Sequence, residues 1–197
     1  MPSHRIEKES LEQKVARVTR ESVSIVPYDP AWPSEFQKEK RSLSERFPNG
    51  PIVRVEHFGS TAIPGMPAKP IIDMLIEVVS YERVEREVVP VLEALGHDYF
   101  WRPAFGDSTP PFYSWFILRN RSGRRRAHLH MVEAGSALFE RLLFRDYLIA
   151  HKETADAYAA LKSSLSARYS NDRVAYTAAK TRFINEVMEK ALEAIRR

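Results

Sequence analysis

The sequence predicts an α+β fold, a mixed β-sheet with flanking helices closed by a helical C-terminal portion. Three observations predict it. Short β-type runs recur between Val23 and Val132, with two helical patterns among them. After Gly135 the apolar residues recur only at helical spacing. The 197 residues are 44% hydrophobic and 28% charged, the balance of a chain that buries a core, and they contain no internal repeat.

Met1 to Glu21 is polar and charged, with only Leu11, Val15 and Val18 at helical spacing. It is expected to be a flexible or frayed helical tail outside the core. Residues 22–197 then form one domain, helical from about residue 136. Val23 to Val26 reads as a short strand stopped by Pro27. Pro30 and Pro33 punctuate the turn that follows, and Pro33 suits the first turn of a helix.

Phe36, Lys40, Leu43 and Phe47 mark that helix, and Pro48-Asn49-Gly50-Pro51 ends it. Ile52 to Phe58 is a strand. Gly59 to Pro70 fits neither period and reads as a loop, and Ile71 to Val79 reads as a buried strand. Tyr81 to Leu95 has apolar residues at 84, 88, 91, 92 and 95 with Gly96 just beyond, a helix with a glycine stop. Three strands follow at Tyr99 to Arg102, Phe112 to Leu118 and Ala127 to Val132. The last two flank a hairpin whose tip is Ser122-Gly123. Three helices complete the chain, with Thr154 and Asn171 as expected N-caps. The aromatic residues between Phe100 and Phe116 either pack the core or line a pocket, and Asp107 with the 103–111 loop is a candidate lid.

No apolar run approaches the ~18 residues of a membrane span, and the charged N-terminus has no signal-peptide apolar region. A cytoplasmic location without a membrane partner is the expectation. Zero cysteines exclude disulfides, thiolate ligands and a cysteine nucleophile, so a metal must be held by Asp, Glu or His. Lys and Arg outnumber Asp and Glu by 30 to 26, and a net charge of +4 favours anionic partners such as nucleotides or RNA without choosing between them.

Transfer of phosphoryl or nucleotidyl groups needs a backbone cradle for phosphate and carboxylates that hold a metal against it. Gly59-Ser60 can supply the cradle, because glycine admits close approach and serine adds a hydroxyl donor. Asp73 then places a carboxylate in an otherwise apolar strand, as a metal ligand or as a structural partner of Lys69 or Arg54. His128 and His130 are two apart and face one way on their strand. With Asp73 they make a His-His-carboxylate set suited to a transition metal or Zn²⁺, although two hydrogen-bonded structural histidines fit the same spacing. Lys69 and Lys180 are candidate phosphate ligands, and Arg145 is a candidate bidentate clamp. Arg124, Arg125 and Arg126 near the hairpin tip either touch RNA phosphates or are solvated.

His57-Phe58-Gly59-Ser60, twelve residues and then Asp73 resemble the Gly-Ser plus carboxylate signature of the DNA polymerase β-like nucleotidyltransferase superfamily. Several longer strings together resemble the GrpB family within it, over roughly residues 23 to 190. They are Val26 to Pro33, Glu56 to Gly65, Ala68 to Asp73, Ala127 to Glu133, Phe144 to Leu148 and Ala179 to Ile184.

The resemblance implies a nucleotidyltransferase-type sheet, phosphate handling at Gly59, Ser60 and Thr61, and a divalent metal (Mg²⁺, Mn²⁺ or Zn²⁺) on Asp73. It also implies a second carboxylate two residues on, where this chain has Leu75. Glu77 shares the face but lies ~13 Å along the strand, too far to share one metal with Asp73. The expected function is a metal-assisted transferase acting on a nucleoside triphosphate or a nucleotide conjugate. Related fungal proteins make arginine cyclodipeptides from charged tRNA, and other relatives are fused to dephospho-CoA kinase. A tRNA-using peptide-bond synthase and a non-catalytic module for a nucleotide or CoA-like ligand are therefore the alternatives.

Overall fold

The computed structural model describes residues 9–104 and 110–196; Phe105 and Asp107 of the expected lid lie outside the described residues. The sheet has five strands: β1 (Ile52–Phe58), β2 (Ile72–Val78), β3 (Asp98–Pro103), β4 (Phe112–Arg119) and β5 (Arg125–Glu133). Their order is β1-β2-β5-β4-β3. β2 and β5 run parallel and the other pairs antiparallel, so the sheet is mixed, as the α+β reading requires. β4 and β5 form the expected hairpin, closed where Asn120 N–H donates to Arg124 O at 2.9 Å.

Alternation along the strands separates two faces. On one, Met74, Ile76, Phe116, Leu129 and Met131 are fully buried beneath Trp32, Phe36 and Leu43 of α2 (Trp32–Arg46). Val84, Val88 and Leu92 complete this layer. Each such side chain contributes about 1.5–3 kcal/mol on leaving water. The helix expected at Tyr81 to Leu95 is not uniform. It runs as α3 (Tyr81–Arg83), a π-helical stretch (Val84–Val88) and α4 (Val89–Ala94). Pro90 has no N–H for the α-helical ladder, and just before it Val89 N–H reaches back to Val84 O.

The opposite face carries Phe58, Leu75 and Val132 under Leu138 and Leu142, and Ile117 with Phe100 and Val18. Asp73, His128 and His130 share this face. A helical portion follows: α5 (Arg141–Ala150), α6 (Lys152–Arg168), α7 (Arg173–Ala178) and α8 (Thr181–Arg196). It packs on the turn after β1 through Ile63, Met66, Leu148, Tyr158 and Val187. Among the described residues no helix is long and apolar enough to cross a membrane.

Three local expectations differ from the structure. Val23 to Val26 makes a single bridge, Val26 to Ala68, because Pro27 has no N–H to extend a ladder. Thr154 lies inside α6, which starts at Lys152, and Asp172 rather than Asn171 caps α7 by accepting from Ala175 N–H at 2.9 Å. Leu11–Thr19 of the expected tail is a helix, α1, opened by a capping box between Ser10 and Gln13. Its Val18 is buried, and Arg17 reaches Asp98 at 2.6 Å. Asp98, with its side chain 6% exposed, also takes Arg119 at 2.7 Å. Leu11 and Val15 are exposed, so buried ion pairing joins Val18 in holding α1.

Asp98→Ala leaves Arg17 and Arg119 without this shared carboxylate. The expected loss, read from the urea unfolding midpoint, is on the order of 2–3 kcal/mol, with faster proteolysis before residue 22. An unchanged midpoint would contradict this account.

Candidate functional site

β1 ends at Gly59, where φ is +73° and a Cβ would lie 2.5 Å from Asp73 Oδ2. Glycine is required twice there, by the positive φ and by the approach of the carboxylate. Ser60–Ala62 then forms one 3₁₀ turn. Thr61 is buried and locked, donating to Ile71 O at 3.4 Å and pairing with His57 Nε2 at 3.0 Å. Ser60 hydrogen-bonds the phenol of Tyr158.

The β-ladder places Asp73 beside His128 on β5 and beside Phe58 on β1, with His130 opposite Leu75. One ligand atom from each of Asp73, His128 and His130 lies within 4.8 Å of the others. Asp73 Oδ1 is 2.9 Å from His128 Nδ1 and 3.9 Å from His130 Nε2. These values bracket the ~3.3 Å edge of a tetrahedron with ~2.0 Å metal bonds. Glu77 is not in the cluster; it pairs across the ladder with Arg54 and Val132.

Arg125 Nη1 lies 3.3 Å from His128 Nε2. A guanidinium only donates, so Nε2 accepts and Nδ1 carries the proton given to Asp73. His128 becomes a metal ligand only if Arg125 releases Nε2. Asp73 needs no such change, and His130 Nε2 offers its lone pair when the ring proton is on Nδ1 and is donated to the Tyr113 oxygen, at 3.0 Å. Burial lowers His128 to about 4 and also lowers His130, so both imidazoles are neutral at pH 7. Burial opposes the charge on Asp73, but the hydrogen bond from His128 and the nearby imidazole of His130 outweigh it and keep the carboxylate ionised. Two neutral imidazoles and a carboxylate are a Zn²⁺ or Mn²⁺ donor set. Beside them the indole N–H of Trp115, whose ring is 5.2 Å from that of His128, is buried without an acceptor among the described residues.

A cavity of about 420 Å³ separates this end of the sheet from α5–α8. Gly59, Ser60, Asp73 and His130 line it on one side, and Lys69, Lys162 and Lys180 line it elsewhere. Lys180 and Lys69 lie 4.4 and 5.5 Å over the ring of Tyr176, and Lys162 lies 4.8 Å over Tyr158. None of these lysines has a carboxylate partner among the described residues. Burial lowers Lys69 and Lys162 to about 7 and Lys180 to about 8.

The structure thus brings Gly59, Ser60, Thr61, Lys69, Asp73, His130 and Lys180 to one cavity, with His128 just behind. Arg145 is elsewhere: it donates to His57 O and to Asp146, both at 2.7 Å, and ties α5 to β1. Nor do the three arginines form one surface. Arg124 is exposed, Arg125 is 4% exposed in an ion pair with Glu21, and Arg126 pairs with Glu39 of α2. Sequence reasoning missed Lys162 and Arg141 as cavity residues. Lys162 was visible as a cation within the Tyr158, Leu161 and Leu165 stripe of α6.

Residues 22–190 match the sequence model described as GrpB protein. A UPF0157 protein of Pseudomonas aeruginosa is 35% identical over 191 residues, covering 93% of this chain and 74% of its own. The glutamate-rich protein GrpB of Alkalihalophilus pseudofirmus is 35% identical over 175 residues, covering 88% of this chain and 98% of its own. Among solved structures, conserved protein GrpB from Enterococcus faecalis superposes with a TM-score of 0.74 at 27% identity. It covers 88% of this chain and 100% of its own.

Two measurements check the site's construction. Lys162, 2% exposed, donates only to Pro67 O. Its unfolded form keeps its proton to about 10.5, and the folded form releases it near 7. The folded state therefore binds fewer protons in that window, and this lysine makes stability rise with pH by up to ~1.4 kcal/mol per unit. Lys162→Met is expected to remove that rise and to be the more stable protein at pH 7. Gly59→Ala should cost about 1–3 kcal/mol in chemical unfolding, and an Asp73→Ala background should recover part of it by making room for the Cβ.

Proposed function

Because the chain belongs to the GrpB family, we propose that this cavity is the site of a metal-assisted transferase acting on a nucleotide-type anion, a nucleoside triphosphate or a nucleotide conjugate. One observation carries the reading: Asp73, His128 and His130 converge within 4.8 Å at the wall of a cavity that also holds three lysines without carboxylate partners. Ser60 and the N–H groups of its turn face the phosphate, and Lys69 and Lys180 offset its charge. Asp73 and His130 hold the metal, with His128 joining them if Arg125 withdraws. When bound, the metal would polarise a phosphoryl oxygen and neutralise charge that develops on it.

A Gly-Ser turn between two antiparallel strands, with the carboxylate on the second, supports this reading. The departure at Leu75 also has a structural counterpart. Leu75 is fully buried among apolar side chains, and His130 stands directly across the ladder from it. A nitrogen donor from β5 then takes the place of the missing carboxylate on β2, which favours Zn²⁺ or Mn²⁺ over a pair of Mg²⁺ ions. A nucleotide substrate is also consistent with the cytoplasmic location expected from the sequence.

Thermal unfolding of EDTA-treated protein tests the proposal. Zn²⁺ or Mn²⁺ is expected to raise Tm, and ATP to raise it further only with metal present. Saturation to 100 Kd corresponds to ~2.7 kcal/mol. His130→Ala and Asp73→Asn should abolish the metal shift while unfolding cooperatively. A wild-type protein indifferent to Zn²⁺, Mn²⁺ and Mg²⁺ at millimolar concentration would end this reading.

A further inference from the structure

A second cavity, about 770 Å³, opens beside the first and shares Lys69 and Ile71 with it. The chain between Arg17 and Ser24, the hairpin tip and Arg173 of α7 form its walls. Six cations line it, Arg17, Lys69, Arg119, Arg124, Arg125 and Arg173, and Glu21 is its one acidic lining residue. Glu21 pairs with Arg119 and Arg125, Asp98 with Arg17 and Arg119, and Glu9 with Arg17. Three of the six cations, Arg17, Arg119 and Arg125, thus share three carboxylates.

Lys69, Arg124 and Arg173 are left without a carboxylate among the described residues. Among the described residues Arg173 donates only to the backbone carbonyls of Glu21 and Ser22, at 3.4 and 3.3 Å. Burial and the nearby Arg125 push its guanidinium down to about 10, so the group already feels its cationic neighbour. Unpaired like charges around one cleft destabilise the folded protein unless an anion enters. The ion-paired arginines supply what such an anion needs, since Glu21 and Asp98 fix the guanidinium planes of Arg17, Arg119 and Arg125 before anything binds.

We propose that this cleft is a second anion subsite, which holds a phosphate group remote from the reacting phosphates of the same substrate. Resting on the transferase reading, this narrows the substrate class to nucleotides or conjugates that carry a further phosphate. Lys69, on the wall between the cavities, contacts both anionic parts. Nothing in the subsite requires a metal, because guanidinium and ammonium groups supply every contact.

Pyrophosphate is the probe, titrated calorimetrically in EDTA at low salt so that metal-dependent binding is silent. Wild-type protein is expected to bind it, and Arg124→Gln/Arg173→Gln to lose at least tenfold in affinity. Lys152→Gln, at an exposed position outside both cavities, should change affinity less than threefold. Should the double variant fold poorly, Arg124→Gln alone, at an exposed position, is expected to weaken binding threefold or more. Absent binding, or unchanged binding by the cleft variants, overturns the subsite. So does tighter binding of a single-stranded oligoribonucleotide with a salt slope of many phosphates, which would assign the cleft to RNA. The metal-dependent Tm shift is read separately, so failure of the subsite and failure of the transferase reading give different results.

Discussion

The contact on which the site depends is that between the Asp73 carboxylate and the backbone of Gly59. A Cβ at residue 59 would meet the carboxylate, so β1 can turn into the Ser60 hydroxyl only because glycine stands there. The carboxylate is in turn held from the other side by His128, its neighbour in the parallel ladder. Three strands therefore meet at one ionised group. The apolar face beneath them, from Met74 to Met131, gives the ladder its rigidity.

Charge is distributed unequally over the two faces of the sheet. The α2 side is an ordinary hydrophobic layer, whereas the other side gathers arginines, lysines and histidines with few acids. Such a surface opposes folding in isolation, and the protein tolerates it through three devices: aromatic rings beneath Lys69, Lys162 and Lys180, carboxylates shared between two arginines each, and imidazoles held neutral. Each retains polar chemistry at a cost in stability, which is the pattern of a site rather than of a scaffold.

Much of this was legible in the sequence. Short β-type and apolar runs located every strand of the sheet, and the hairpin tip at Ser122-Gly123 followed from turn chemistry. Gly59, Ser60 and Asp73 stood out because small residues and a lone carboxylate broke an apolar pattern, and His128 with His130 because their spacing of two put both on one face. Long-range pairing was not legible. Nothing in the spacing of Arg124, Arg125 and Arg126 reveals that one is buried on Glu21 and another rests on α2, because strand alternation sends neighbours to opposite faces and their partners lie far away in the chain. Arg145 misled for the same reason. The π-helical stretch before Pro90 was visible only as a proline in a helix, and the docking of α1 depends on Asp98, eighty-one residues from Arg17.

Arg125 joins two parts of the chain that lie far apart in sequence. Its guanidinium binds Glu21 and the carbonyl of Val18, both upstream of the residues that match the family, and it also sets the tautomer of His128 inside the matched region. The proton position beside Asp73 therefore depends on a segment more than fifty residues upstream of it. A substitution at Glu21 would thus reach the centre without altering any residue in it.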